Sequence, residues 1–283
     1  MKIVETGGMF AEIVNNYKRE KKRCETNMFI LQNEINTWIK GGKLYYDMIE
    51  GVLWFFVKNA QYYIAYFYHP KEEKLKMVPQ DLDVIVEIMG NQNRYNSGWE
   101  TELLESGFEK YHNNFEYVVK KEDCNLEKSN FEKNNKFVEK MGCYHRCAKK
   151  EDYDALYQFW TSKLDKYAVY TMTDKEIEDM ERYNRGHLIL NNKNEILAAA
   201  YYLRTGNTAN VLYNVSLQKG FGHVIRVFLL DYAFREGCDR IITWIYENNE
   251  YVALNKNPHR LSKGITVKTG KFVQQFLMRK AEC

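Results

Sequence analysis

Three short runs rich in aromatic and β-branched residues, at Leu44–Ile49, 52–57 and 62–68, are separated only by Glu50-Gly51 and Lys58-Asn59-Ala60. Gaps this short hold a tight turn and nothing else, so the spacing predicts an antiparallel meander. The second half of the chain repeats the pattern at residues 187–190, 196–203 and 209–215, with turns at 191–194 and at Gly206-Asn207. A meander has an apolar face that must be covered, and each one here is flanked by segments with helical periodicity.

In the first half, Met9, Phe10, Ile13, Val14 and Tyr17 fall three and four residues apart and place one apolar stripe on a helix. A second helix is expected over residues 30–39, stopped by Gly41 and Gly42. Strand-like runs follow at 74–78 and 84–89, then a helix ending at Gly107-Phe108 and a strand at 115–119. Residues 121–139 are dominated by Lys, Glu and Asn and read as a connection.

The second half opens with a strand at 144–148, a helix at 152–164 carrying Tyr153, Leu156, Tyr157 and Trp160 on one face, and a helix at 174–183 capped by Thr173. After its meander, a loop with Gly220 and Gly222 leads into an apolar helix at 224–235, stopped by Gly237. A strand at 240–246, a short helix at 249–255 broken by Pro258, and two strands flanking Gly270 complete the pattern. The expectation is an α/β (α+β) protein of two domains, at 1–120 and 143–283, joined by a linker at 121–142. Each domain would be a mixed, mainly antiparallel sheet flanked by helices. A length of 283 residues suits two domains of about 140 residues, each able to bury its own core.

Charge narrows the function. The 41 basic side chains exceed the 38 acidic ones by only 3 and are scattered, so no nucleic-acid partner is expected. The cluster Lys18, Arg19, Lys21, Lys22 and Arg23 reads as a solvated helix end. No run approaches the roughly 20 apolar residues that span a bilayer, and no signal peptide is apparent, so no membrane partner and a cytoplasmic location with reduced cysteines are expected. Cys143, His145 and Cys147 alternate within a strand and lack a second ligand pair, so no metal is expected.

Taken in order, residues 144–280 resemble the GNAT acyltransferase superfamily. Its signature is Gln or Arg, two residues, Gly, one residue, then Gly or Ala, between the fourth strand and the long helix. Here Gly220 and Gly222 keep that spacing, while Leu217 stands at the leading position with Gln218 one place late. Backbone N–H groups unobstructed by Cβ atoms would point, with the helix N-terminus, at the pyrophosphate of coenzyme A. The resemblance implies that acetyl-CoA or another acyl-CoA is the cosubstrate. It would be held by Val215, Leu217, Gln218, Lys219, Gly220, Phe221, Gly222, His223 and Val224, with Lys219 and His223 adding positive charge and Asn249 following the fifth strand. It also implies direct attack by an amine from a small molecule or peptide, with Glu247 as base and Tyr251, one turn before the family's usual tyrosine position, as acid.

In the first half, only the five residues 79–83 separate the strand-like runs at 74–78 and 84–89, too few for a helix of about 12 residues that would cradle a pyrophosphate. That half is expected to be a degenerate repeat that does not bind coenzyme A in the usual way. Two other functions stay open: a non-catalytic binding or scaffold protein that keeps the fold, and a transferase that uses aminoacyl-tRNA.

Overall fold

The computed structural model describes residues 1–91, 97–124, 128–247 and 267–281. The chain divides into two compact units, one made of Met1–Asn114 with Lys271–Cys283, the other of Phe115–Gly270. The first contains β1 (Lys2–Ile3), α1 (Gly7–Glu20), β2 (Cys24–Thr26), α2 (Gln32–Lys40), β3 (Leu44–Ile49), β4 (Val52–Lys58), β5 (Tyr62–Pro70), β6 (Asp83–Asn91) and α3 (Ser97–Glu105), and then the start of β7 (Glu109–Lys120). The second contains α4 (Lys128–Lys140), β8 (Cys143–Cys147), α5 (Tyr153–Thr161), α6 (Asp174–Arg182), β9 (Gly186–Asn191), β10 (Ile196–Thr205), β11 (Thr208–Ser216), α7 (Phe221–Arg235) and β12 (Arg240–Tyr246). The chain then returns to the first unit along β13 (Val267–Met278).

The first meander forms as expected: β3, β4 and β5 pair antiparallel, and β6 then lies parallel to β5. β4 is buried from Val52 to Val57 because both faces of the sheet are covered. Trp54 and Phe56 point into a core with Phe67, Trp99 and Phe276, whereas Leu53, Phe55 and Val57 meet Phe10 and Val14 of α1 on the other face. Thr6 anchors α1 by accepting the Met9 N–H at 3.0 Å.

Residues 74–78 look like a strand because Leu75 and Met77 alternate with polar neighbours, but they form no ladder. Their backbone is held by side chains instead: the Glu102 carboxylate accepts the Leu75 N–H at 2.7 Å, and the Trp54 indole donates to the Lys76 carbonyl at 2.9 Å. No helix connects β5 to β6.

In the second unit the sheet runs β8-β9-β10-β11-β12, antiparallel except for the β11–β12 pair. Alternate residues of β10 serve two cores: Ala198, Ala200 and Tyr202 face α7, while Ala199 and Tyr201 face α5 and α6. The alanines leave room for Phe221, Phe228 and Ala233 of α7 to lie close to the sheet. Thr173 and Glu176 form a reciprocal capping box at the start of α6.

Three boundaries differ from expectation. Residues 121–142, expected as a linker, hold a 3₁₀ turn and α4, whose Phe131 and Val138 join the core under α7. One continuous strand, β13, replaces the two strands flanking Gly270, because glycine accepts a φ of 83° there. Residues 271–278 of β13 pair with β6 and so belong to the first unit. The helix expected at 249–255 lies outside the described residues.

Among the described residues no helix is long and apolar enough to cross a membrane. Nor does any group of three or more His, Cys, Asp or Glu stand ready to hold a metal ion. Cys143, His145 and Cys147 share one face of β8, where the His145 ring stacks on Phe228 at 3.8 Å. Among the described residues, Cys24, Cys143, Cys147 and Cys238 are free thiols.

Candidate functional site

The candidate site starts from a one-residue irregularity in β11. Its register with β10 runs Tyr202↔Val211 and then Tyr201↔Tyr213, so Leu212 is an extra residue, a β-bulge. On its other edge β11 pairs in parallel with β12 from Thr208↔Arg240 to Val211↔Thr243. The paired stretch ends where the bulge bends β11, leaving a V between residues 213–216 and 244–246.

The polar groups that line this V follow from the ladder. Leu217 donates its N–H to the Leu197 carbonyl at 2.8 Å, which places 213, 215 and 217 among the residues bonded to β10. Alternation then turns the N–H and C=O of Asn214 and Ser216 toward the side from which β12 has diverged. Side chains alternate as well: Tyr213 and Val215 enter the core against α5 and α6, while Asn214 is exposed.

At the end of β11 the chain turns into α7. The Gln218 carbonyl accepts from Ser216 Oγ at 2.7 Å and from the Phe221 N–H at 3.1 Å, closing the turn. Gly220, at φ 93° and ψ −27°, is the helix N-cap and offers no side-chain cap. The first turn of α7 carries no acidic residue. An uncapped helix start of this kind presents backbone donors and a positive dipole end to an anion.

Gly222 is favoured for a different reason. A Cβ there would stand 3.3 Å from Ser216 Cβ, so glycine lets α7 seat against the end of β11. The side chains of Phe221 and Val224 are buried in the core under α7, and Val215 is buried on the opposite face, so these three reach a ligand only through backbone. Leu217 is 50% exposed, and Gln218 and Lys219 lie on the same loop.

His223 departs from the expectation of positive charge. Burial, reinforced by nearby Arg226, pushes its pKa down to about 4, so the imidazole is neutral near pH 7. Glu247 is exposed and immediately follows β12. Asn249 and Tyr251 lie outside the described residues.

Two features were missed by the sequence reading. Phe137 of α4 places its ring 3.4 Å from where a Gly220 Cβ would be and meets Phe221 edge-on at 6.0 Å. The signal was the seven-residue step from Phe131 to Val138, which marks a helix stripe in an otherwise polar segment. The other feature is the aromatic wall behind the bulge. Trp160 lies 4.3 Å from Tyr213, whose hydroxyl accepts the Tyr170 N–H at 3.1 Å, and Tyr170 donates to Glu176 at 3.3 Å. Trp160 Nε1 and the Tyr201 hydroxyl are buried without a hydrogen-bond partner. These aromatics read as core in the sequence because their spacing is that of a core stripe.

No family model matches the chain, and no curated protein matches it. Solved structures do. A GCN5-related N-acetyltransferase from Sphaerobacter thermophilus aligns over 82% of this chain and 78% of its own, at 8% identity and a TM-score of 0.51. A Drosophila protein aligns over 98% of this chain and 97% of its own, at 11% identity and a TM-score of 0.50. At such identities the likeness speaks for the fold alone. With the bulged fourth strand, the diverging parallel pair and the glycine turn into α7, it establishes that the chain has the fold of the GCN5-related N-acetyltransferase superfamily.

Proposed function

We propose that the chain is an acyl-CoA dependent N-acyltransferase, with acetyl-CoA as the simplest donor and a small-molecule or peptide amine as acceptor. The observation that carries this reading is the coincidence of the Leu212 bulge, the opening beyond Val211↔Thr243 and the uncapped start of α7. The donor's pantetheine arm would lie along β11 with its pyrophosphate at the Gly220–Gly222 backbone, near Lys219. The N–H groups of Asn214 and Ser216 face the V and would polarise the thioester carbonyl.

The amine nitrogen would then attack that carbonyl carbon, forming the C–N bond as the C–S bond breaks. One amine proton passes to a base, for which Glu247 is the candidate, and the departing thiolate takes a proton from an acid, for which Tyr251 is the candidate. The neutral His223 is not needed as a charge partner in this scheme.

Calorimetry with acetyl-CoA tests the reading, using the wild type beside Gly222→Val, whose side chain crowds Ser216 at the start of α7. Micromolar binding lost in the variant supports it; absence of binding to the folded wild type overturns it. A second reading, a binding or scaffold protein without turnover, is favoured by the Phe137 ring lying against Gly220. It predicts no acetyl-CoA binding to the wild type and binding gained in Phe137→Ala.

A further inference from the structure

The first unit contains a counterpart of the V in the second. There β5 and β6 pair in parallel from Tyr62↔Asp83 to Ala65↔Val86, a ladder of the same length as that between β11 and β12. Beyond Ala65 the two first-unit strands are bridged by the chain itself. Asn27, only 6% exposed, accepts the Phe67 N–H of β5 on Oδ1 at 2.7 Å. It donates through Nδ2 to the Glu87 carbonyl of β6 at 3.1 Å and, at 3.4 Å, to the Ala65 carbonyl of β5.

The residues before Asn27 extend the occupation. β2 pairs antiparallel with the far end of β5, at Thr26↔Tyr68, Glu25↔His69 and Cys24↔Pro70. Thr26 Oγ1 donates to the Phe67 carbonyl at 2.5 Å and accepts the Met28 N–H at 3.0 Å. The Trp99 indole of α3 holds Glu25 at 3.1 Å. Both backbone groups of Phe67 are thus taken by neighbouring side chains of one segment, which runs extended along β5 as an added strand would.

We infer that residues 24–27 are a built-in occupant of the strand cleft in the first unit, filling with protein the backbone positions that an extended ligand would pair with. The chain therefore offers one donor cleft rather than two; this consequence rests on the acyltransferase reading, whereas the occupation does not. It also gives the first unit a role: a fold of this kind whose V is permanently closed is a support and not a second catalytic centre.

Two measurements on the full chain test this. Hydrogen exchange followed at the Phe67 amide should show protection comparable to that of amides inside the β4–β5 ladder. Asn27→Ala should accelerate its exchange by about tenfold or more while leaving α7 amides unchanged. A Phe67 amide that exchanges at loop rates in the wild type overturns the inference without need of any variant. Native mass spectrometry with acetyl-CoA should show one equivalent per chain, and two equivalents would overturn it. No bound equivalent together with a protected Phe67 amide upholds the occupation and rejects the acyltransferase reading, so the two failures are distinguishable.

Discussion

Removing the carboxylate of Glu236 should loosen the C-terminal end of α7. Glu236 follows the last turn of α7 and accepts from Arg185 Nε at 3.1 Å and Arg185 Nη2 at 2.5 Å, and from the Tyr202 hydroxyl at 2.8 Å. Arg204 donates to the Glu236 main-chain carbonyl, also tying the helix end to the sheet. The Arg185 and Glu236 side chains are 10% and 11% exposed, so this is a desolvated pair and not a surface one. Burial alone would raise the Glu236 pKa, but the bonds from Arg185 and Tyr202 outweigh it and hold the carboxyl below its ordinary range.

Glu236→Ala leaves the Arg185 guanidinium buried without its counter-ion, a loss of about 3–5 kcal/mol by comparison with other broken buried pairs. Glu236→Gln keeps the shape and some hydrogen bonds, so its cost should be smaller, about 1–3 kcal/mol. The double change Arg185→Met with Glu236→Leu should cost less than either ionic partner removed alone, because no orphaned charge remains. Urea unfolding followed alongside hydrogen exchange of α7 amides reads all three, the exchange isolating the second unit from the first. A Glu236→Ala loss below about 1 kcal/mol would refute the reasoning, since it would mean the pair behaves as solvent-screened.

Tyr201→Phe removes a buried hydroxyl that has no partner, so it should be neutral or stabilising by up to about 1 kcal/mol in urea unfolding; a clear loss would show that the hydroxyl is bonded. Acid should destabilise the fold in two windows. His145 and His223 are pushed down to about 4 and His187 well below its ordinary value, each chiefly by burial. Their contributions are therefore complete above pH about 6.5 and are lost as pH falls below it, because the unfolded chain takes up protons that the folded one refuses. Asp152, bonded to Arg146, and Glu236 have lowered pKa values, so their stabilisation is present above the ordinary carboxylate range and disappears as pH falls through their folded values. Thermal unfolding from pH 8 to 3 should show both declines, and His187→Phe should flatten the first. Phe137→Ala should cost only about 1 kcal/mol, because the ring is 39% exposed, and should tighten acetyl-CoA binding if the ring crowds the Gly220 backbone; weakened binding would mean that the ring contributes to holding the donor.

Much of the fold was legible because period and punctuation agree. The strands of both meanders, the Thr173 cap and the entry to α7 each rest on local chemistry that sequence displays directly. What failed was non-local. Leu75 and Met77 alternate like a strand, yet the Glu102 and Trp54 side chains replace the ladder partner. The partnership of β13 with β6 spans most of the chain, and nothing in either segment announces the other. At the site, the Gly220–Gly222 turn was readable because the left-handed backbone at Gly220 and the close approach at Gly222 both favour glycine. The Leu212 bulge was not, since a bulge is a mismatch between two strands and neither strand records it alone. Asn27 escaped notice for the same reason: its importance lies in three backbone groups contributed by β5 and β6.

The return of β13 to β6 orders events during synthesis. Until residues 271–278 have been made, β6 carries an unpaired edge rich in Val and Ile, and the nascent first unit is open to pairing with another chain. The second unit needs the chain only as far as Gly270, so it is free to become native before residues 271–278 are made. A nonsense mutation just after Gly270 would then damage the first unit, leaving a second unit with all its residues attached to an adhesive, incomplete first one.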